Sequence, residues 1–388
     1  PAPAPSRTWR RPTARFWRLV LAFGVLAISA FAAVNAYAGV IAAGGNDHQA
    51  GDWLISYPGT FVRRGLFGEL LFADAPAGQT TLWILFAVQL ALYLPLFAYT
   101  IDYLNRSNFS WSSIALACSP AALPFIGWDP LGGFRKESIG FLALVLLAFA
   151  RRADRRGIRA ALLMGSLLAW TLGVFSWESL AFLLPAVGCL LLAEDVLDYR
   201  RALAGIYAAI GAVALGVSVV FHGDAGTPGA LCQVVVDHGL NPDRLCTGAI
   251  AWMGRTTDDS LRLVQQNLAV HSGYLVMLAL AVLPIVVSPW LRRYWPWLVA
   301  CAIGVAPLFA LGIDYGRWIH ILIIEVTICM MASHPKLSES PLWNPLSVGL
   351  FVSLWGIPHA APTPANLAGW PFKGLLDTVI VWMQSTLM

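Results

Sequence analysis

Charge is what this chain has least of. Only 12% of its 388 residues are Asp, Glu, Lys or Arg, against roughly a quarter in a soluble domain. Apolar residues make up 58% and mean hydropathy is +0.68, which excludes an ordinary water-soluble domain. The net charge of +4 is small and no basic tract is interleaved with aromatics, so nucleic acid is dismissed. P-loop and dinucleotide-binding glycine patterns are missing, which argues against direct use of a nucleotide. No internal repeat is visible, and the only low-complexity tract is a Pro/Ala/Arg tail over residues 1–15. No histidine stands at ligand spacing from Cys232 or Cys246, which argues against a zinc site there.

What the chain has in abundance is apolar runs of about 16–25 residues, the length that crosses a bilayer as a helix. They predict an all-α polytopic integral membrane protein, with spans at 17–43, 80–101, 112–127, 138–151, 159–175, 178–196, 201–221, 272–290, 295–312, 317–333 and 344–358. A weaker apolar tail at 374–387, carrying Asp377, is either an interfacial helix or a twelfth span. The first span ends near Ala36-Tyr37-Ala38, a sequence like a signal-peptidase site. Its apolar stretch exceeds a signal h-region, so it reads as an uncleaved anchor. One transmembrane domain over residues 1–388 is expected.

Basic residues near span ends set the orientation. With the N-terminus in the cytoplasm, 16 of the 25 Lys and Arg fall on the inner side. Among them are Arg7, Arg10 and Arg11 of a cytoplasmic tail over 1–16, the cluster Arg151–Arg159, Arg200–Arg201, Arg292–Arg293 and Lys336. Of the histidines only His334 falls inside. Two loops on the outer side are substantial, 44–79 and 222–271. Cys232 and Cys246 share the second, and in an oxidising periplasm they are expected to pair. That loop, Pro/Gly-rich at its start with a polar helical stretch at Asp258–Asn267, is placed to close like a lid.

Five cations break the inside bias: Arg63, Arg64, Arg135, Lys136 and Arg317 all fall on the outer side. An inner-membrane protein that holds cations there has a use for them on an anion, and they are expected to line one outward-opening cavity. Four stretches carry this expectation. Asn46-Asp47-His48 and Gly51-Asp52-Trp53 offer Asp47 and Asp52 as general bases, or as ligands of a divalent ion held with substrate phosphates; the bland alternative is a solvated loop with a capping Asp. Over Phe61–Phe72, apolar residues at helical spacing interrupted by Arg63, Arg64 and Glu69 predict an amphipathic interfacial helix. Its arginine doublet is either a headgroup anchor or a bidentate pyrophosphate clamp.

Asp129–Glu137 sets two glycines before Arg135 and Lys136 at a helix start, an arrangement that suits an anion as well as a capped turn. Glu178, in a tight turn nearby, is placed to pair with one of these cations. Asp314-Tyr-Gly-Arg-Trp-Ile-His320 spaces Asp314, Arg317 and His320 at i, i+3, i+6, for a phosphate clamp with an adjacent acid/base; a helix-end ion pair is the alternative. Glu325, near mid-membrane, is a functional candidate by position.

The layout resembles the integral-membrane glycosyltransferases of GT-C type: a first span ending in acidic residues, an outer loop with an interfacial helix, then many short-looped helices. The resemblance implies a polyprenyl-phosphate sugar donor and an acidic catalytic residue in the first outer loop, the place of Asp47 and Asp52. The outward arginines and Asp314-Tyr-Gly-Arg-Trp318 also resemble the Wzy-type O-antigen and exopolysaccharide polymerases, which hold a lipid pyrophosphate with arginines and need no nucleotide sugar. Expected, then, is a bacterial inner-membrane enzyme working at the periplasmic face, its partners an undecaprenyl-linked donor, a glycan acceptor and membrane lipid. No cofactor is named with certainty from the sequence, and a divalent cation stays open. Two rival functions predict differently. A flippase or anion transporter should carry polar groups through its helices, with broken spans in symmetric halves. A non-catalytic subunit of an envelope assembly should leave the five cations scattered.

Overall fold

The computed structural model describes residues 14–57, 61–74, 76–123, 129–194, 199–333, 340–361 and 363–387. Arg7, Arg10, Arg11, His334 and Lys336 lie outside them. Within them the chain is all-helical: α1 Ala14–Ala42, α2 Leu66–Asp74, α3 Gln79–Arg106, α4 Trp111–Ala117, α5 Glu137–Ala150, α6 Arg156–Ser176, α7 Leu184–Leu192 and α8 Arg200–Val220. There follow α9 Thr227–Asp237, α10 Pro242–Leu245, α11 Thr257–Gln266, α12 Leu268–His271, α13 Tyr274–Val286, α14 Trp290–Leu311, α15 Tyr315–Ser333, α16 Pro345–Ser353 and α17 Leu375–Leu387.

Six helices are long and apolar enough to cross a membrane: α1, α3, α6, α8, α14 and α15. Five present most of their apolar surface outward, as lipid-facing helices do, but 89% of the α15 window is buried inside the protein. α15 is therefore the central post, packed by α5, α7, α13 and α14. Its polar residues Arg317, His320 and Glu325 face protein rather than lipid, the placement that keeps charge at membrane depth affordable.

Two expected spans differ from the sequence reading. Of the run 112–127 the described residues are helical to Ala117 and non-helical over 118–123, and 344–358 is helical only over Pro345–Ser353. The cause is local. Pro120 disfavours helix at Ser119 and blocks the next turn, and Gly356 with Pro358 stops the second segment. The two short helices pack against each other, and Ser340 donates its N–H to Ser112 Oγ at 3.1 Å. Non-helical backbone of this kind survives at membrane depth only where protein covers it. Here it does: a Cβ on Gly316 would stand 1.8 Å from the Pro358 carbonyl oxygen, so glycine at the start of α15 is what admits the 357–359 strand of chain. Tyr274 Oη, on α13, donates to that same carbonyl.

The arginine doublet also sits differently from the expected interfacial helix. Helix α2 begins only at Leu66, because Arg64 takes a left-handed backbone (φ 70°) and Gly65 lies against the Tyr57 ring. Arg63 and Arg64 thus occupy the turn before the helix. The second long loop folds as α9–α12 and docks on the first. Cys232 and Cys246 stand at disulfide distance, Sγ–Sγ 2.15 Å, and the segment after Cys246 meets the first loop. Gly248 lies against Asp47 and His48, Gly51 against the Leu245 carbonyl.

Candidate functional site

The helices present charge at two ends. At one end gather Arg106, Arg151 and Arg152; at the other, most of the residues the sequence singled out. Three turns bring them there. The first is the single helical turn 51–54, which buries Asp52. The second is the Arg63–Arg64 turn, whose Arg63 N–H donates to the Phe221 carbonyl at the end of α8. The third leads into α5 through Phe134, a second non-glycine residue in left-handed backbone (φ 58°). That conformation costs about 1–2 kcal/mol, so it must be held. Phe134 N–H donates to Tyr93 Oη at 3.0 Å, and its carbonyl accepts from Trp53 Nε1 at 2.9 Å and Gln89 Nε2 at 2.8 Å. The Tyr37 ring stacks on it at 4.3 Å. So anchored, Phe134 fixes the direction in which Arg135, Lys136 and Glu137 leave it.

The cations then meet carboxylates from remote parts of the chain. Arg64 forks onto Glu178, Nη2–Oε1 2.8 Å and Nε–Oε2 3.0 Å, while Arg63 reaches the same carboxylate at 3.4 Å. Lys136, fully buried, donates Nζ to the Arg64 carbonyl at 3.2 Å and faces Asp52 at 3.7 Å. Arg317 forks onto Glu137 at 3.0 and 3.2 Å and grips Asp314 at 2.6 Å. Its guanidinium also lies 5.4 Å from the Trp177 ring centre and 5.1 Å from that of Trp318, a flat aromatic setting that suits arginine better than lysine.

Arg135 is the exception. It is buried and donates Nη2 to the Leu131 carbonyl, yet its Nε has no hydrogen-bond partner. Among the described residues no carboxylate stands within 4.0 Å of it. Burial, with Arg317 as like-charged neighbour, presses its guanidinium below the ordinary value. An arriving anion would relieve both.

The proposed acids and bases separate. Asp52 is committed to Lys136. Asp47 is half-buried at the rim, accepting from Thr247 Oγ1 at 3.0 Å, with His48 beside it under the charges of Arg135, Asp314 and Arg317. Asp314 and Arg317 pair as their spacing suggests, but the His320 ring is buried on another side, where it senses Asp129. Glu69 accepts from the Tyr57 N–H, in the loop just before the arginine turn, and joins none of the cations. Glu325 is buried halfway along α15 beside Cys301 and Cys189. No cation answers it among the described residues.

Sequence reasoning missed three parts of the site. Glu137, last residue of the quoted stretch, is the principal partner of Arg317; the signal was an acidic side chain directly after two basic ones. Asp129 holds His359, accepting from its N–H at 2.7 Å and facing Nδ1 at 2.7 Å. Only the interrupted spans bring those two together, and no spacing rule forecasts it. Burial works to raise Asp129, but the His359 contacts outweigh it and leave the carboxyl below its ordinary value. Asp314 behaves likewise, with Arg317 the main counterweight. Gln89, buried on α3, spans the Gln49 and Phe134 carbonyls and so locks the first loop to the third turn.

Among the described residues no three His, Cys, Asp or Glu side chains are grouped to hold a metal ion. The open space beside the cluster is a narrow cleft of about 10 Å³ at Arg63, Arg64 and Glu178, room for one water. The chain matches no family model, no curated protein and no solved structure.

Proposed function

We propose that this chain is a membrane glycosyltransferase or polysaccharide polymerase that takes sugar from a polyprenyl-phosphate-linked donor. The observation that carries the reading is the gathering of five cations, from three distant stretches, at one end of the helices, four of them paired with four carboxylates and Arg135 with none. An ion-pair cluster assembled from so many turns is costly to desolvate. It repays that cost if its charges serve a ligand.

The reading extends to topology. About eleven crossings result if α5, the 178–192 segment, α13 and the two interrupted passages join the six long helices. The arginine-rich end then faces the cytoplasm of a bacterial inner membrane and the cluster faces the periplasm. In the reaction, the bond between the sugar's anomeric carbon and the phosphate oxygen breaks, leaving the lipid phosphate with its charge. Arg135 and Arg317 stabilise that charge as it develops, so the leaving group needs no proton. The acceptor hydroxyl attacks the anomeric carbon and gives its proton to Asp47, the carboxylate at the rim. Asp52 orients Lys136.

Interrupted passages are a feature a flippase would share. The cations favour the transferase, because they stay at one end instead of following a path through the helices. An assembly subunit gives no reason for them to converge.

Arg135→Gln is the test, because it removes the one cation that leaves no carboxylate behind. Glycan or glycolipid product from membranes at matched protein level should fall by about a hundredfold or more. Near-normal product overturns the reading.

A further inference from the structure

We propose that Thr247 is the chain's own acceptor, a hydroxyl seated where the acceptor's must come and therefore a site of self-glycosylation; this rests on the transferase reading above. Thr247 Oγ1 donates to Asp47 Oδ2 at 3.0 Å. A hydroxyl within hydrogen-bond reach of a carboxylate is the arrangement of a nucleophile and its base, and Asp47 is the base to which the acceptor's proton was assigned. Thr247 is exposed and Asp47 half-buried, so the pair stands at the rim. A threonine hydroxyl is a secondary alcohol, as are most hydroxyls on a sugar ring. His48, the next residue along, feels the charges of Arg135 and Arg317, which puts the pair beside the cations assigned to the phosphate.

The ordinary role for such a contact is to dock the second loop on the first, and other groups already do that. Ala249 N–H donates to the Asp47 carbonyl at 3.1 Å. A Cβ on Gly248 would stand 2.8 Å from Asp47 Cγ and from His48 Cε1, so backbone itself packs on this stretch. Cys246, directly before Thr247, is tied to Cys232. Backbone and cross-link hold the segment, and the Thr247 hydroxyl is left aimed at a carboxylate. In the step, Thr247 Oγ1 forms a bond to the anomeric carbon of the donor's sugar as the bond from that carbon to the phosphate oxygen breaks. The electron pair leaves on the phosphate, toward Arg135 and Arg317, and the hydroxyl proton passes to Asp47. The result is a stable threonine glycoside, formed once per chain in competition with the true acceptor.

Mass spectrometry reads the site directly, because the tryptic peptide 245–255, once reduced, has Thr247 as its one hydroxyl side chain. The full-length chain is purified from membranes that make the product measured above, with their own donor as the probe. Peptide 245–255 should carry one added monosaccharide, while the next peptide, 256–262, which begins with Thr256 and Thr257, carries none. Thr247→Ser should keep the modification and Thr247→Val should lack it. Asp47→Asn and Arg135→Gln should each lower it about a hundredfold. Limited proteolysis within 232–250 should run at the wild-type rate in Thr247→Val. An unmodified wild-type peptide from membranes that make product overturns the inference and leaves the transferase standing. A sugar that persists undiminished in Asp47→Asn or Arg135→Gln was added by another enzyme, and overturns it too. So does faster cleavage of Thr247→Val, which makes the hydroxyl a docking contact. If the membranes make no product and the peptide carries no sugar, both proposals fall.

Discussion

At the arginine-rich end, side chains finish helices. Arg152 binds Asp102 at 3.3 Å, Tyr99 Oη at 3.0 Å and the Met331 carbonyl, while Arg151 binds Glu194 at 2.7 Å and the Leu190 carbonyl. Those carbonyls belong to the closing turns of helices, where cations are favoured. At the cluster end the partners are other loops' carboxylates, 114 residues away for Arg64 and 180 for Arg317, and two backbone turns are held in left-handed conformations to bring them together. Arginine in the first setting answers a generic need that neighbours can share. In the second it answers one specific geometry, so substitutions at the two ends should have very different costs.

Arg317→Ala should break that contrast most severely. It leaves Glu137 and Asp314 without their cation, and opening a buried pair costs roughly 3–5 kcal/mol. Thermal melting in detergent should fall, and product should drop by about a hundredfold or more. Glu137→Gln added to Arg317→Ala removes one stranded charge, so melting should partly recover while product does not. Product recovering along with stability would make Arg317 a structural residue only.

Replacing both Cys232 and Cys246 by Ser tests whether the docked loop belongs to the specific end. A cross-link closing a loop of this length is worth about 3 kcal/mol in the chain-entropy model. Because Asp47 and His48 lie against the segment after Cys246, the loss should appear as local opening. Limited proteolysis should cut within 232–250 tens of times faster, with the six long helices intact. An unchanged cleavage rate would show that docking alone holds the loop.

Lys136 gives a pH test with opposed readouts. Burial pulls its ammonium from the ordinary 10.5 down to about 8, with Asp52 working against the shift. Between those values the unfolded chain holds a proton that the folded chain has lost, so stability rises with pH across that window. The same deprotonation removes a cation from the cluster. Product should therefore fall a few-fold as pH rises through about 8, while melting temperature holds or climbs. Lys136→Arg should abolish the alkaline fall; a fall that persists would move its cause to another group.

Much of the fold was legible because period and length speak directly: the six long helices occupy apolar runs visible in the sequence. The interrupted passages were not, since 112–127 and 344–358 are apolar enough to span. What defeats them is proline chemistry together with the close approach at Gly316, a tertiary event. Within the site, Asp314–Arg317 was legible because a helix fixes i, i+3 neighbours. Arg64–Glu178 was half legible, as a carboxylate in a tight turn that pairs with some cation. Arg317–Glu137 was not, because no local rule reaches across 180 residues.

The smallest effect should come from Arg155→Ala, and its smallness is what gives the comparison meaning. Arg155 is exposed and stands just before α6; its side chain makes no capping hydrogen bond there. Its carbonyl does accept the Arg159 N–H at 3.0 Å, but alanine keeps that bond. Four arginines, at 151, 152, 156 and 159, remain in the same stretch, so the basic bias that orients the flanking helices barely changes. Stability should move by no more than about 0.5 kcal/mol. Arg152→Ala, in the same cluster, should cost about 1 kcal/mol or more, since it takes a donor from the Tyr99 hydroxyl and strands the Met331 carbonyl, although Asp102 keeps Arg106 at 2.8 Å. Membranes carrying Arg155→Ala should thus make product at the wild-type rate beside Arg135→Gln membranes that make almost none. If Arg155→Ala loses product to the same degree at matched protein level, the two ends do not differ in kind. The five cations would then be further instances of helix-end arginine, with no special claim on an anion.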